Sequence, residues 1–366
     1  MRIQQGGNQM KTDLLIVGGG PAGLSAAIRG AASNIDVTLI DESFTVGGQL
    51  RQQIQQVDSL PKGYSPSRGV EILAKLEKEA LHSDVKILNN HTMVGTYENG
   101  EVGVTNGTDT FPIRAKKYLF APGAAEEAII FPGWTLPGVM TAGAVQILLH
   151  RELVLPGEEA LIVGSNDFAL ETAQQLIECG INIKGIVEKG DKVISENVGL
   201  LSYLNTYQIP IYLQSEIEMV TGKGEVESVI VQTNETQIKM KVDLICTAST
   251  FTPIVETFQL MNCHLAYQYE LGGWIPIYNQ GFQTTNDSVY VAGNAAGVTH
   301  LGAILLTGEI AAVHALATMG KISNVDDVLD ELWEALSSLE QAENMQRRYE
   351  NIQAYYKLKG LPLPKI

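Results

Sequence analysis

Short apolar runs and helical stripes alternate along this chain in an order that repeats. Residues 13–17 form an apolar run ending at Gly18, and residues 21–32 carry Leu24, Ala27, Ile28 and Ala31 at helical spacing. Residues 37–40 form a β-branched run, which completes a strand, tight turn, helix, strand unit. Residues 92–98 and 102–105 flank Asn99-Gly100, a two-residue hairpin signal, and residues 117–120 return to the core before Ala121-Pro122-Gly123.

The programme then restarts. Residues 160–163, 183–187 and 243–248 read as strands, residues 167–179 as an amphipathic helix, and residues 211–232 as a strand pair around Gly222 and Gly224. The offset between the two copies is about 146 residues, the mark of a duplicated nucleotide-binding module rather than of a short solenoid repeat. A further strand at 289–292 and a helix at about 303–319 follow a unit that has already closed, so they must join the earlier sheet. The pattern therefore predicts an α/β chain with two Rossmann-like dinucleotide-binding domains, the second inserted into a discontinuous first. The first would comprise residues 11–130 and 265–322, the second 131–264 with a junction at 131–158. Residues 323–366 would form a helical segment, with Val325, Val328, Leu329, Leu332, Trp333 and Leu336 and then Tyr349, Ile352, Tyr355 and Tyr356 at helical spacing. That segment reads equally as a partner-binding arm and as a tail packed on its own chain.

At 366 residues the length suits two domains. A formal charge of −16 disfavours nucleic acid, whose non-specific binding depends on Lys and Arg displacing counterions. Met1 to Lys11 lack the apolar stretch of a signal peptide, and no uninterrupted apolar run has the length of a membrane span, so a cytoplasmic location is expected. Cys179, Cys246 and Cys263 are widely separated, with no CxxC, and assemble neither a redox dithiol nor a metal or cluster ligand set.

Gly18-x-Gly20-x-x-Gly23 lies between the first strand and helix, and Asp41 with Glu42 closes the next strand eighteen residues past the last glycine. Gly18 permits the tight turn, Gly20 lets a pyrophosphate reach N–H groups at the start of the helix that Pro21 and Ala22 open, and Gly23 lets helix and strand approach. Asp41 is placed to accept from ribose hydroxyls. The motif alone does not separate FAD from NAD.

Later segments point to FAD by resemblance. Ala121-Pro122-Gly123 resembles the ATG segment of two-dinucleotide-domain flavoproteins, and residues 289–294, Val-Tyr-Val-Ala-Gly293-Asn294, resemble their terminal Gly-Asp segment beside the flavin ribityl chain, with Pro122 for Thr and Asn294 for Asp. The resemblance implies that the Asn294 carbonyl accepts from a ribityl hydroxyl. Gly47-Gly48-Gln49-Leu50 is similar to the loop beside the isoalloxazine in thioredoxin-reductase-like proteins, where Gln49 and Arg51 would tune the flavin. The helix after Thr299-His300-Leu301-Gly302 would aim its N-terminus at the pyrimidine ring. Residues 131–144, Phe-Pro-Gly-Trp-Thr-Leu-Pro-Gly-Val-Met-Thr-Ala-Gly-Ala, resemble the FAD-containing subunits of heteromeric amine and amino-acid dehydrogenases, a group that includes hydrogen cyanide synthase, opine oxidase, dye-linked proline dehydrogenase and the large subunit of heterotetrameric sarcosine oxidase. It implies a hetero-oligomer: a second flavin subunit that oxidises an amine or amino acid, and an iron–sulfur centre supplied, if present, by another subunit.

At the matching turn of the second module the sequence is Gly164-Ser165-Asn166-Asp167-Phe168-Ala169, so Asn166 stands where glycine would admit a pyrophosphate. Asp167 and Glu171 at the helix start favour the helix dipole but oppose a bound diphosphate, each by roughly 1 to 3 kcal/mol. Glu188, at the end of the next strand, would suit an NAD ribose. NAD(P) use is thus left open, with a structural relic or a weak adenine-nucleotide site as the expectation.

His300 is the candidate catalytic histidine by its distance from Gly293-Asn294; the other histidines form no triad or metal spacing. No general base stands out, and hydride abstraction from a neutral amine requires none. The leading expectation is an electron-transferring FAD subunit of an amine or amino-acid dehydrogenase. The alternatives are a self-sufficient NAD(P)H-dependent flavin reductase and a flavin-bearing assembly subunit without turnover of its own.

Overall fold

The computed structural model describes residues 10–64 and 66–363. Most of the N-terminal stretch expected to lack a signal sequence, Met1 to Gln9, lies outside them. The chain divides into two compact units, one built from Met1–Arg51, Gln56–Ala125 and Thr252–Ile366, the other from Gln52–Gln55 and Glu126–Phe251. Both are α/β, each around a parallel sheet, and together they make two dinucleotide-binding domains, one interrupted by the other.

In the first unit the parallel order is Lys86–Asn89, Val37–Asp41, Met10–Val17, Thr110–Phe120, Val289–Val291. Val17 sits opposite Ile40 on one side and Phe120 on the other, so the central strand ends level with both neighbours. Leu14, Leu15, Ile16, Leu39 and Ile40 are fully buried, as continuous apolar runs in a sheet covered on both faces should be. Thr110–Phe120 is longer than its apolar tail predicts. Its first half pairs antiparallel with Val102–Thr105 and its last three residues pair parallel with Val289–Val291. The leftover strand thus enters the first sheet. Sequence places the return to this unit at residue 265, but Phe258 already packs edge-to-face on Phe120, with ring centroids 5.5 Å apart.

The helix Leu301–Thr318 is long and apolar enough to cross a membrane by length and composition, yet 72 % of it is buried inside the protein. Its partner is the glycine-turn helix Pro21–Ala31. They cross so closely that a Cβ on Gly308 would lie 2.1 Å from the Ala22 carbonyl oxygen.

The C-terminal segment forms two helices, Val325–Leu339 and Ala342–Lys359, broken at Glu340 and Gln341. Leu336, Met345, Ile352 and Tyr355 are buried, Trp333 stacks on Phe282, and the Trp333 indole N–H donates to the Gln280 carbonyl at 2.8 Å. The partner-arm reading is therefore corrected: the apolar stripe that suggested it is spent on this chain's own first unit.

In the second unit the parallel order is Val139–Thr141, Leu244–Thr247, Glu159–Val163, Asn182–Val187, Ile211–Tyr212. The strand pair read around Gly222 and Gly224 is present as Glu216–Thr221 against Ser228–Gln232, extended into a meander by Gln237–Lys241. Only the start of the range differs, because Ile211 and Tyr212 pair with Ile186 and Val187 in the parallel sheet. Val139–Thr141, part of the junction, is an edge strand of this sheet.

Candidate dinucleotide site

The three glycines of the first turn take three different roles. Gly18 has φ +103° and donates its N–H to the Ile40 carbonyl at 2.9 Å; a Cβ there would stand 2.2 Å from the Ala121 oxygen. Gly23 approaches the turn so closely that its Cβ would be 1.9 Å from the Gly18 oxygen. Gly20, which precedes Pro21 at the first helical position, faces open space, with nothing within 4 Å of an added Cβ. An opening at the start of an eleven-residue helix, beside unpaired N–H groups, is the cradle a diphosphate requires.

The other expected segments converge on this turn. The Gly47 N–H donates to the Gly19 carbonyl at 2.7 Å, and Gly48, at φ +51°, would bring a Cβ to 3.1 Å from the Gly20 Cα. Leu50 is buried and Gln49 exposed; the Arg51 guanidinium lies over the Phe44 ring. Gly123 has φ +86° and faces open space. Gly293 donates to the Thr307 hydroxyl at 2.8 Å, and its Cβ would be 3.0 Å from that of Ala22. Asp41 is buried, its Oδ2 accepting from Gly19 N–H at 2.6 Å and its Oδ1 from Ser43 N–H at 2.8 Å. Each oxygen retains a lone pair for a ribose hydroxyl. Glu42 is exposed.

Three expectations change in detail. The Asn294 Oδ1 accepts the Thr299 N–H at 3.1 Å, so the side chain turns its carbonyl inward and leaves Nδ2 as the end that can meet a ligand. A Cβ on Gly302 would lie 2.4 Å from the Ser59 oxygen, so this glycine is required by packing. His300 bonds through Nε2 to the Leu339 carbonyl, while its buried Nδ1 has no partner. With Nε2 engaged by Leu339, the only ring nitrogen left is that enclosed Nδ1, a poor position from which to reach a ligand.

The second unit repeats the frame of the turn, with a side-chain hydroxyl at Ser165 serving the strand-end acid where the first unit uses the Gly19 backbone N–H. Gly164, φ +107°, donates to the Val187 carbonyl at 2.9 Å, and its Cβ would be 2.3 Å from the Ala248 oxygen. Glu188 accepts from Ser165 Oγ at 2.6 Å and from Gly190 N–H at 2.7 Å, as Asp41 accepts from residues 19 and 43. The helix start differs. Asn166 Oδ1 takes the Ala169 N–H at 2.9 Å, and its Nδ2 donates to the Ser249 carbonyl at 3.2 Å. Asp167 accepts from Ser195 Oγ at 2.5 Å. Glu171 is pushed up to about 7 by burial and then by the Asp167 charge, so at neutral pH it carries only part of the charge that sequence assigns it. Cys246 and Cys263 are buried, with thiols pushed up mainly by desolvation, and all three cysteines are free. No group of metal-ligating side chains occurs among the described residues.

Residues 12–320 match the family model for pyridine nucleotide-disulphide oxidoreductases. The chain belongs to that family. It is an oxidoreductase in class, although its isolated cysteines offer no dithiol for disulphide chemistry. It is 25 % identical over 336 residues to an opine oxidase subunit of Agrobacterium tumefaciens (strain Ach5), covering 85 % of this chain and 66 % of the relative, so it spans just under two thirds of that relative's length. The hydrogen cyanide synthase subunit HcnB of Pseudomonas protegens is 26 % identical over 342 residues, 86 % of this chain and 72 % of the relative. Among solved structures, L-proline dehydrogenase from P. horikoshii shares the fold with a TM-score of 0.71 at 23 % identity, over 89 % of this chain and 59 % of that one.

Sequence missed Thr307, Glu340 and Arg348, which hold the Gly293–Thr299 segment from behind, Glu340 through the Thr299 hydroxyl. A buried Glu–Arg pair eight residues apart leaves no periodic signature.

Proposed function

We propose that this chain is the FAD-binding, electron-transferring subunit of a multi-subunit amine or amino-acid dehydrogenase. The observation that carries dinucleotide binding is the opening at Gly20, set in a turn whose other two glycines are closed, and the resemblance of residues 121–123 and 289–294 to flavoprotein segments supports FAD as the occupant. Helix N–H groups past Gly20 would hold the diphosphate, Asp41 the adenosine ribose, and Asn294 Nδ2 the ribityl chain. Gly123 keeps its side of the site free of side chains. Flavin, once bound, would supply a carrier for the two electrons that the second flavin subunit removes from the amine, and would pass them onward. The other half of the reading, membership of a complex, is supported by relatives that are themselves named as subunits. A cytoplasmic complex containing a second flavin chain and an iron–sulfur chain fits this reading.

Glu188 favours a second reading, a self-sufficient NAD(P)H-dependent flavin reductase, because its carboxylate is placed as Asp41's is. Against it, Asn166 occupies the helix start that a diphosphate needs. Purification from the native host, followed by anaerobic addition of single amino acids or NADH, separates the readings. The proposal expects co-purifying chains and a flavin bleached by an amine or amino acid. Stoichiometric bleaching by NADH in the isolated chain favours the reductase, and a flavin that no donor or partner reduces indicates an assembly role.

A further inference from the structure

The family match ends at residue 320, and the two helices beyond it place a cluster of polar contacts on one short stretch of the first unit, residues 294–300. Arg348 is fully buried. It donates to the Ala296 carbonyl at 2.8 Å, to the Gly297 carbonyl at 3.4 Å and to the Tyr278 hydroxyl at 3.2 Å, while its Nη2 and Nε bind Glu340 Oε2 at 3.0 and 3.2 Å. Glu340, at the break between the two helices, also takes the Thr299 hydroxyl, 2.8 Å from both carboxylate oxygens, and the Asn344 amide at 3.1 Å. The Leu339 carbonyl takes His300. Tyr278 donates to the same Ala296 oxygen that Arg348 holds.

These contacts fall on the segment between Gly293, which touches the glycine-turn helix, and Leu301, where the helix Leu301–Thr318 begins with no side-chain cap. Thr299 links the two ends: its N–H fixes Asn294 and its hydroxyl is fixed by Glu340. A buried ion pair of this kind adds little net stability compared with apolar packing, but it fixes geometry wherever every donor is matched. We propose that the C-terminal helix pair is a brace for the flavin-facing segment, with Arg348 and Glu340 as positioning residues that act through Thr299 on Asn294 and on the start of the helix Leu301–Thr318. The proposal rests on the flavin reading above. It gives the extra helices a task in cofactor geometry rather than in partner docking.

The test uses the full chain and two substitutions, Thr299→Val and Glu340→Gln, with Thr299→Ser as rescue. Amide exchange over residues 294–302 is measured without cofactor, and FAD affinity and flavin midpoint potential after reconstitution. The brace predicts exchange at least about tenfold faster in Thr299→Val, with little change in the central strands. It also predicts FAD binding weakened about tenfold, a more negative potential because the helix N-terminus is less well placed to stabilise reduced flavin, and recovery in Thr299→Ser. Thr299→Val removes one hydroxyl and decides the matter even if Glu340→Gln fails to fold. Wild-type-like exchange, affinity within about twofold and an unshifted potential in Thr299→Val overturn the brace. A wild-type chain that binds no FAD overturns the flavin reading itself, and the proposal with it.

Discussion

Asn166 caps the second module's helix by accepting the Ala169 N–H at 2.9 Å, at the position that Gly20 leaves open in the first module. One residue thus gains helix stability and occupies a donor that a diphosphate would need. Asn166→Ala should destabilise the protein by about 1 kcal/mol and Asn166→Gly by only a few tenths. The glycine variant should also increase NADH-driven flavin reduction. Urea unfolding and anaerobic stopped-flow check both; unchanged reduction in Asn166→Gly would assign the block to Asp167 and Glu171 instead.

Glu171 gives a pH dependence of known sign. Its folded value near 7 lies above the usual 4.5, so the folded state holds this proton more tightly. The group's relative stabilisation is complete below pH 4.5 and is lost as pH rises toward about 7, by up to roughly 3 kcal/mol. Glu171→Gln should flatten this slope and raise the melting temperature at pH 8. Equal melting temperatures of the two proteins at pH 8 would contradict the burial that causes the shift.

Close backbone approach makes Gly23 and Gly308 structural where Gly20 is not. An added Cβ would lie 1.9 Å from the Gly18 oxygen and 2.1 Å from the Ala22 oxygen respectively. Gly23→Ala and Gly308→Ala should each destabilise by about 1–3 kcal/mol or more in chemical unfolding. Wild-type stability in Gly23→Ala would mean that the helix Pro21–Ala31 sits further from its own turn, and in Gly308→Ala that the two helices sit further apart.

Asn294 offers Nδ2 where an aspartate would offer a charged acceptor. Asn294→Asp keeps an oxygen for the Thr299 N–H and turns the ligand-facing group into a carboxylate. A hydrogen bond to a charged group exceeds a neutral one by about 1 kcal/mol, so FAD should bind several-fold more tightly by fluorescence titration. Weaker binding would show that the bound hydroxyl accepts from Asn294.

The sequence carried the frame well because the duplicated glycine turns, the acids at 41 and 188 and the leftover strand at 289 each express a local rule: a positive φ, a strand end, an apolar run. It carried the supporting contacts poorly. Gly302, read as part of the start of the helix aimed at the pyrimidine ring, owes its need for glycine to Ser59, far away in sequence. His300, singled out by its distance from Gly293-Asn294, bonds to the Leu339 carbonyl, a contact no spacing foretells. The partner-arm reading of residues 323–366 failed because an amphipathic stripe states that it must be covered, not by what. The charge on Glu171 was misjudged because burial has no signature in a single residue.

Flavin stoichiometry in Gly20→Val tests the central claim most directly. Gly20 has φ −71° and ψ −175°, extended backbone that valine adopts readily, and open space before it, so the variant should fold with the wild-type melting temperature. After reconstitution and desalting, the account predicts close to one FAD per wild-type chain and almost none per Gly20→Val chain. A folded Gly20→Val protein that retains a full complement of FAD would contradict it.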